Sequence, residues 1–152
     1  MKQVLLLTVC GAIIGLTGAC GGSSSSSAPS PAPIDVTGSW SGQTAFNGQS
    51  TKMVWTLTQQ AGGTVTGSML DALSSGTVLI NGAFTGTVSG TTLTYAIAVG
   101  PGSIPSQPTC TGQLTGSMQI AIGVPSTLVG SFNVASSSCP SPLTGGPLTL
   151  TR

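Results

Sequence analysis

Few side chains in this chain could carry out chemistry. The 152 residues include three basic and two acidic side chains and no histidine. General acid–base catalysis needs a titratable group whose pKa lies near the working pH, and the candidates are Asp35, Asp71 and Tyr95. A serine nucleophile would need a neighbouring base, and Lys52 is the one lysine beyond residue 2. Asp71 is expected to begin a loop. We therefore predict that the protein is not an enzyme, has no catalytic residue and uses no cofactor.

The first 19 residues have the pattern of a secretory signal peptide. Lys2 gives a positive start, residues 4–16 form a short apolar run, and the small residues Gly18 and Ala19 precede Cys20. This order of features predicts an exported protein. The run is short and broken by glycine for a membrane-spanning helix, and a retained single-span anchor is the alternative.

Residues 16–20, with the sequence LTGAC, resemble the lipobox of bacterial lipoproteins. The resemblance implies cleavage before Cys20 and attachment of diacylglycerol and palmitate-type acyl chains to that residue. Several chains together anchor a protein stably in a membrane. The family pattern has leucine three residues before the cysteine, where this chain has Thr17. Because Gly21 is not acidic, the resemblance favours the outer membrane of the bacterial envelope over the inner membrane.

A linker is expected between this anchor and the remaining chain. Residues 21–33 read GGSSSSSAPSPAP, in which Gly and Ser are flexible and Ala and Pro are stiffer. Such a segment buries too little apolar surface to fold. The predicted organisation is a signal peptide at 1–19, a lipidated cysteine and tether at 20–35, and a β domain at 36–152.

Two cysteines remain in the domain once the leader is removed and Cys20 is lipidated. They are Cys110 and Cys139, and an even pair in an exported protein predicts a disulfide. Zinc binding is the less favoured alternative, because two cysteines without histidine do not complete a tetrahedral shell. We predict no metal site.

Apolar residues alternate with polar ones from residue 36 onward, and turn signals recur about every ten residues. This pattern predicts an all-β domain. Glycines inside the predicted strands, such as Gly67, Gly116 and Gly130, indicate close backbone approaches in a strongly coiled sheet. We therefore predict an eight-stranded antiparallel up-and-down barrel, with a β-sandwich as the alternative.

Three residues resemble a feature of the calycin superfamily, which includes the lipocalins and avidins. Gly38 and Trp40 form a Gly-x-Trp on the first predicted strand, and Arg152 follows the last. The resemblance implies that the arginine lies over the tryptophan and helps to close the barrel, with a cation–π contribution of about 0.5–2 kcal/mol. The alternative is that Trp40 is an ordinary core residue.

The sequence predicts a membrane-anchored lipoprotein with a non-catalytic β domain that has a structural or interaction role at the cell envelope. No basic patch favours nucleic acid. The alternative is binding of a small neutral apolar ligand inside the barrel. Expected partners are the membrane and either such a ligand or an envelope protein, and the expected contact regions are residues 101–108 and 136–147. The candidate ligand-lining residues are Met53, Trp55, Phe84, Tyr95 and Met118.

Overall fold

The computed structural model describes residues 34–46, 48–140 and 143–152. The predicted signal peptide and residues 20–33 lie outside this part of the chain. Within the described ranges, no helix is long and apolar enough to span a membrane. The described elements are eight strands: β1 Gly38–Phe46, β2 Gln49–Gln59, β3 Thr64–Leu73, β4 Val78–Ser89, β5 Thr92–Val99, β6 Gly112–Ala121, β7 Thr127–Ser137 and β8 Gly146–Thr151.

The strands form a closed barrel in which each strand pairs with the next, and β8 returns to β1. Every pairing is antiparallel. Turns of a few residues join most of the strands, so each strand pairs most readily with the one just before it. The predicted eight-stranded up-and-down barrel is confirmed, and the sandwich does not form.

The barrel interior follows from the alternation of side chains along each strand. On β2, every second residue from Thr51 to Leu57 is buried, and the intervening residues are exposed or half-buried. β5 repeats this pattern from Leu93 to Val99. Because successive side chains of a strand point to opposite faces, the buried sets of all eight strands meet in one apolar core. Full burial of one such side chain contributes about 1.5–3 kcal/mol.

A glycine on β6 shows how tightly neighbouring strands approach inside the barrel. A Cβ atom added to Gly116 would collide with the carbonyl oxygen of Ser131 on β7 and would lie 2.6 Å from the Tyr95 hydroxyl. Gly67 and Gly130 are similarly close to the backbone of a neighbouring strand. The strand glycines therefore permit the strong coiling that a small barrel requires.

The barrel has two ends, which we call lower and upper. At the lower end lie residues 34–37, the turns at 60–63 and 90–91, the loop at 122–126, and the end of β8. The other connections, including residues 100–111 and the described parts of 138–145, lie at the upper end.

The junction between the first and last strands is the least paired part of the barrel. In the described residues, β1 and β8 share a single paired position, Ser41 with Thr151. Above it, residues 43–45 of β1 separate from residues 144–147, and a groove of about 390 Å³ lies between them.

The upper end is covered by two connecting segments that a disulfide joins. Ile104 of the 100–111 loop is buried in the core, and the backbone amide of Asn81 on β4 donates a hydrogen bond to the Ser103 carbonyl at 2.9 Å. Cys110 and Cys139 form a disulfide with their Cα atoms 4.8 Å apart. The predicted disulfide is therefore confirmed.

Candidate functional site

The three residues that carry the calycin resemblance lie together at the lower end. The Trp40 side chain is fully buried, and its Nε1 donates a hydrogen bond to the Val36 carbonyl at 2.7 Å. The Arg152 guanidinium carbon lies 4.6 Å from the centroid of the Trp40 ring. Arg152 Nη1 also donates to the carbonyl of Thr37. The arginine therefore connects the end of the last strand to the segment that enters the first.

Gly38 makes room for this arrangement in two ways. Its φ angle is +131°, in a region that residues with a side chain rarely adopt. A Cβ atom at this position would also lie 3.2 Å from Cδ of Arg152. A larger residue would thus strain the backbone and press on the arginine above Trp40.

The aromatic residues proposed to line a ligand site instead pack against one another. The ring centroid of Trp55 lies 5.0 Å from that of Phe84 and 4.8 Å from that of Tyr95. Phe84 and Tyr95 stack with centroids 5.4 Å apart. Such aromatic pairs contribute about 0.5–1.5 kcal/mol each beyond the burial of their area. These three side chains fill the middle of the barrel.

A small cavity lies near the upper end. Its volume is about 20 Å³, which is room for about one water molecule. Of the five residues predicted to line a ligand site, Met53 lies on its wall, whereas Trp55, Phe84, Tyr95 and Met118 do not. The remaining wall is mostly apolar, and its residues are Thr44, Ala45, Met69, Asp71, Ile80, Leu114, Phe132, Leu143 and Thr144.

The position of Asp71 corrects the sequence prediction. Asp71 does not begin a loop but lies within β3, where it pairs with Met53 on β2 and Ile80 on β4. The β2–β3 ladder continues to Leu73, and the turn follows at residues 74–77. Because Asp71 stands two residues after the buried Met69, its side chain points inward, and only 1% of the residue is exposed.

Few interactions offset the cost of burying the Asp71 carboxyl. Burial raises its pKa, and interactions with the nearby Thr51 hydroxyl and the Ala72 amide oppose the rise only in part. Within the described structure, neither Oδ1 of Asp71 nor Oγ1 of the buried Thr51 has a partner at hydrogen-bonding geometry. An uncompensated buried polar group costs stability. Sequence reasoning thus placed Asp71 wrongly and missed Thr51, although the alternation from Met69 to Asp71 carried the signal.

The other candidate titratable groups, Asp35 and Tyr95, lie at other levels of the barrel than Asp71 in the described structure. Asp35 lies at the lower end, and hydrogen bonds from Thr37 lower the pKa of its exposed carboxyl. Tyr95 donates a hydrogen bond to the Ser131 carbonyl at 3.2 Å, and burial raises the pKa of its phenol. The two carboxyl groups therefore lie toward opposite ends of the barrel, unlike the carboxyl pair of a glycosidase.

Replacing Asp71 by asparagine is expected to remove a pH-dependent loss of stability. The raised pKa means that the folded wild type binds a proton more tightly than the unfolded chain. The stabilising contribution of this carboxyl is therefore fully present below its unfolded pKa of about 3.9. The contribution is lost as the pH rises through the folded pKa. The difference in unfolding free energy between Asp71→Asn and wild type should grow in favour of the variant from acid to neutral pH in urea titrations.

Asp35→Asn is the matched control, because its pKa shift has the opposite sign. The Asp35 carboxylate contributes stability above its unfolded pKa and loses it as the pH falls. This variant should therefore gain nothing over wild type as the pH rises. A constant difference between Asp71→Asn and wild type across this range would contradict the burial argument.

Together these features define the class of fold as a closed eight-stranded antiparallel β-barrel with a packed interior. No protein-family model matches the chain, and the comparison with curated proteins found no significant relative.

Proposed function

We propose that the protein is a membrane-anchored lipoprotein of the bacterial envelope, with the outer membrane favoured, whose β-barrel is a non-catalytic interaction module. The observation that carries the proposal is the filling of the barrel by Trp55, Phe84 and Tyr95. A filled interior leaves the anchor and the outer surface as the parts that can act. The anchor itself is supported by the lipobox-like residues 16–20.

The upper end is the favoured surface for contact with an envelope protein. Here the chain forms its longest described connection, residues 100–111, and long loops on a rigid scaffold commonly carry function. The disulfide between Cys110 and Cys139 restrains both upper segments. A restrained surface loses less conformational entropy when it binds a partner. Strand β7 extends to Ser137 and β8 begins at Gly146, so the proposed contact region at 136–147 includes the ends of these two strands.

The alternative function, binding of a small neutral apolar ligand, has less support. Ligand pockets usually enclose about 300–1,000 Å³, whereas the interior cavity measures about 20 Å³. The carboxyl of Asp71 on its wall would also be left without a partner by a purely apolar ligand. Native mass spectrometry of the purified domain would identify a retained small molecule if this alternative holds.

Palmitate labelling of the full chain in a bacterial host tests the anchor. Wild type should incorporate the label and fractionate with membranes, and Cys20→Ser should lose both properties because the lipidated thiol is absent. Cys10→Ser is the matched control, since Cys10 lies in the predicted leader, and it should label like wild type. Equal labelling of wild type and Cys20→Ser would refute the lipoprotein assignment.

A further inference from the structure

The lower end carries a cluster of exposed aliphatic side chains. Ile122 is 56% exposed, Val129 is 48% exposed, and Val124 is as exposed as in an extended chain. They belong to the 122–126 loop and the start of β7, and we call them the lower apolar patch. Of the large hydrophobic residues in the described structure, one other, Leu70, is also exposed. Single exposed aliphatic residues are common, but several within one short segment are typical of a contact surface.

The loop that carries this patch has a fixed base. The Ser126 hydroxyl accepts a hydrogen bond from the Gly123 amide at 3.3 Å and donates one to the Gly123 carbonyl at 3.1 Å. Ser126 itself is 93% buried, with 7% of its surface exposed. Its two hydrogen bonds hold Val124 at the tip of the loop, so the exposed valine is presented outward by a structured turn.

The patch lies beside the place where the chain enters the barrel. The Arg152 amide donates a hydrogen bond to the Ser126 carbonyl at 3.1 Å, and its side chain donates to the Thr37 carbonyl. Arg152 thus joins the patch-bearing loop to the entering segment. In the sequence, only residues 21–33 separate Cys20 from Ile34. With a lipid on Cys20, a Gly/Ser-rich linker of this length would span about 20 Å on average, so the lower end would stay near the bilayer.

The charges at this end permit approach to a bilayer. Asp35 and Arg152 are the charged side chains of the described structure at the lower end, and they have opposite signs. Lys52 lies away from it, since it pairs with Gln43 on the upper half of β1. The two opposite charges offset each other, so the described part of the lower end has no net charge that an anionic bilayer would repel.

We propose that the lower apolar patch docks on the surface of the bilayer that holds the lipid anchor, with Val124 and Ile122 entering the interfacial region. The proposal rests on the proposed lipid anchor. A few aliphatic side chains bind a bilayer weakly, but a short tether raises their effective concentration at the surface. Docking would orient the barrel with its upper end directed away from the membrane and toward envelope partners.

An environment-sensitive fluorophore on a single engineered thiol tests this orientation. The lipidated protein carrying Val124→Cys is labelled with nitrobenzoxadiazole and reconstituted in vesicles of phosphatidylethanolamine and phosphatidylglycerol. Its emission should shift to the blue and rise several-fold on the vesicles. The reference is the same labelled protein without the lipid anchor, in solution without detergent. Ser106→Cys, exposed in the upper loop, is the matched control and should change little. Equal responses at the two positions would overturn the docking proposal.

A second arm separates this proposal from the anchor itself. The chain from residue 20 onward, carrying Cys20→Ser and a polyhistidine tag before the tether, is held on vesicles with nickel-chelating lipid. The Val124 probe should respond here too, even if palmitate labelling shows that the natural chain is not lipidated. Sedimentation of the same unbound protein gives its oligomeric state. A dimer that Val124→Ser abolishes would assign the patch to a second copy and overturn membrane docking.

Discussion

Replacing Trp55 by alanine is expected to lower the free energy of unfolding by about 3–5 kcal/mol. Trp55 is fully buried and packs against both Phe84 and Tyr95 in the middle of the barrel. Removing the indole would leave a cavity that a closed sheet cannot readily collapse to fill. Urea unfolding followed by circular dichroism measures the loss, while Trp40 remains as the one tryptophan that reports by fluorescence.

Two further variants serve as comparisons for Trp55→Ala. Trp55→Phe should lower the free energy of unfolding much less than Trp55→Ala. It keeps an aromatic ring and removes an indole N–H that has no hydrogen-bond partner in the described structure. Val129→Ala, on the exposed face of β7, should change stability by about 0.5 kcal/mol or less. If Trp55→Ala were as mild as Val129→Ala, the interior would not be tightly packed, and ligand binding inside the barrel would regain support.

Removing the disulfide is expected to lower the free energy of unfolding by about 3–4 kcal/mol. Cys110 and Cys139 are 29 residues apart in the chain, and the bond restricts the unfolded chain by closing a loop of this length. The double variant Cys110→Ala with Cys139→Ala is the appropriate change, because a single substitution leaves a free thiol. Its unfolding free energy in urea is compared with that of the oxidised wild type.

Reduced wild type provides the control for side-chain loss. It retains both sulfur atoms, so it should be destabilised nearly as much as the double variant if the constraint on the unfolded chain dominates. A loss under about 1 kcal/mol in both proteins would mean that the unfolded chain is already restricted, or that the upper segments contribute little to stability.

The sequence predicted the barrel because its signals are local. Period-two alternation from Leu93 to Val99 identifies a strand and its buried face without knowledge of any neighbour. Gly90 identifies the turn before that strand, and its φ angle is +57°. Since each strand pairs mainly with the next one, the order of elements along the chain also sets their order in the sheet.

The residues on the wall of the cavity and its volume could not be predicted in the same way. Asp71 was expected in a turn because aspartate favours turns, but the continued ladder between β2 and β3 overrides that preference. The lack of a hydrogen-bond partner for its Oδ1 depends on atoms from several strands. The volume left between Met53 and Leu143 likewise depends on how all the core side chains fit together.

The single paired position between β1 and β8 has a consequence for how the molecule is made. Seven of the strand pairings join neighbours in sequence, but Ser41 and Thr151 are separated by 110 residues. Until the six residues of β8 are synthesised and docked, the sheet has two open edges, at β1 and at β7. Unpaired strand edges readily join the edges of other chains. The shortest strand of the barrel is therefore the one whose arrival converts an aggregation-prone sheet into a closed, self-contained molecule.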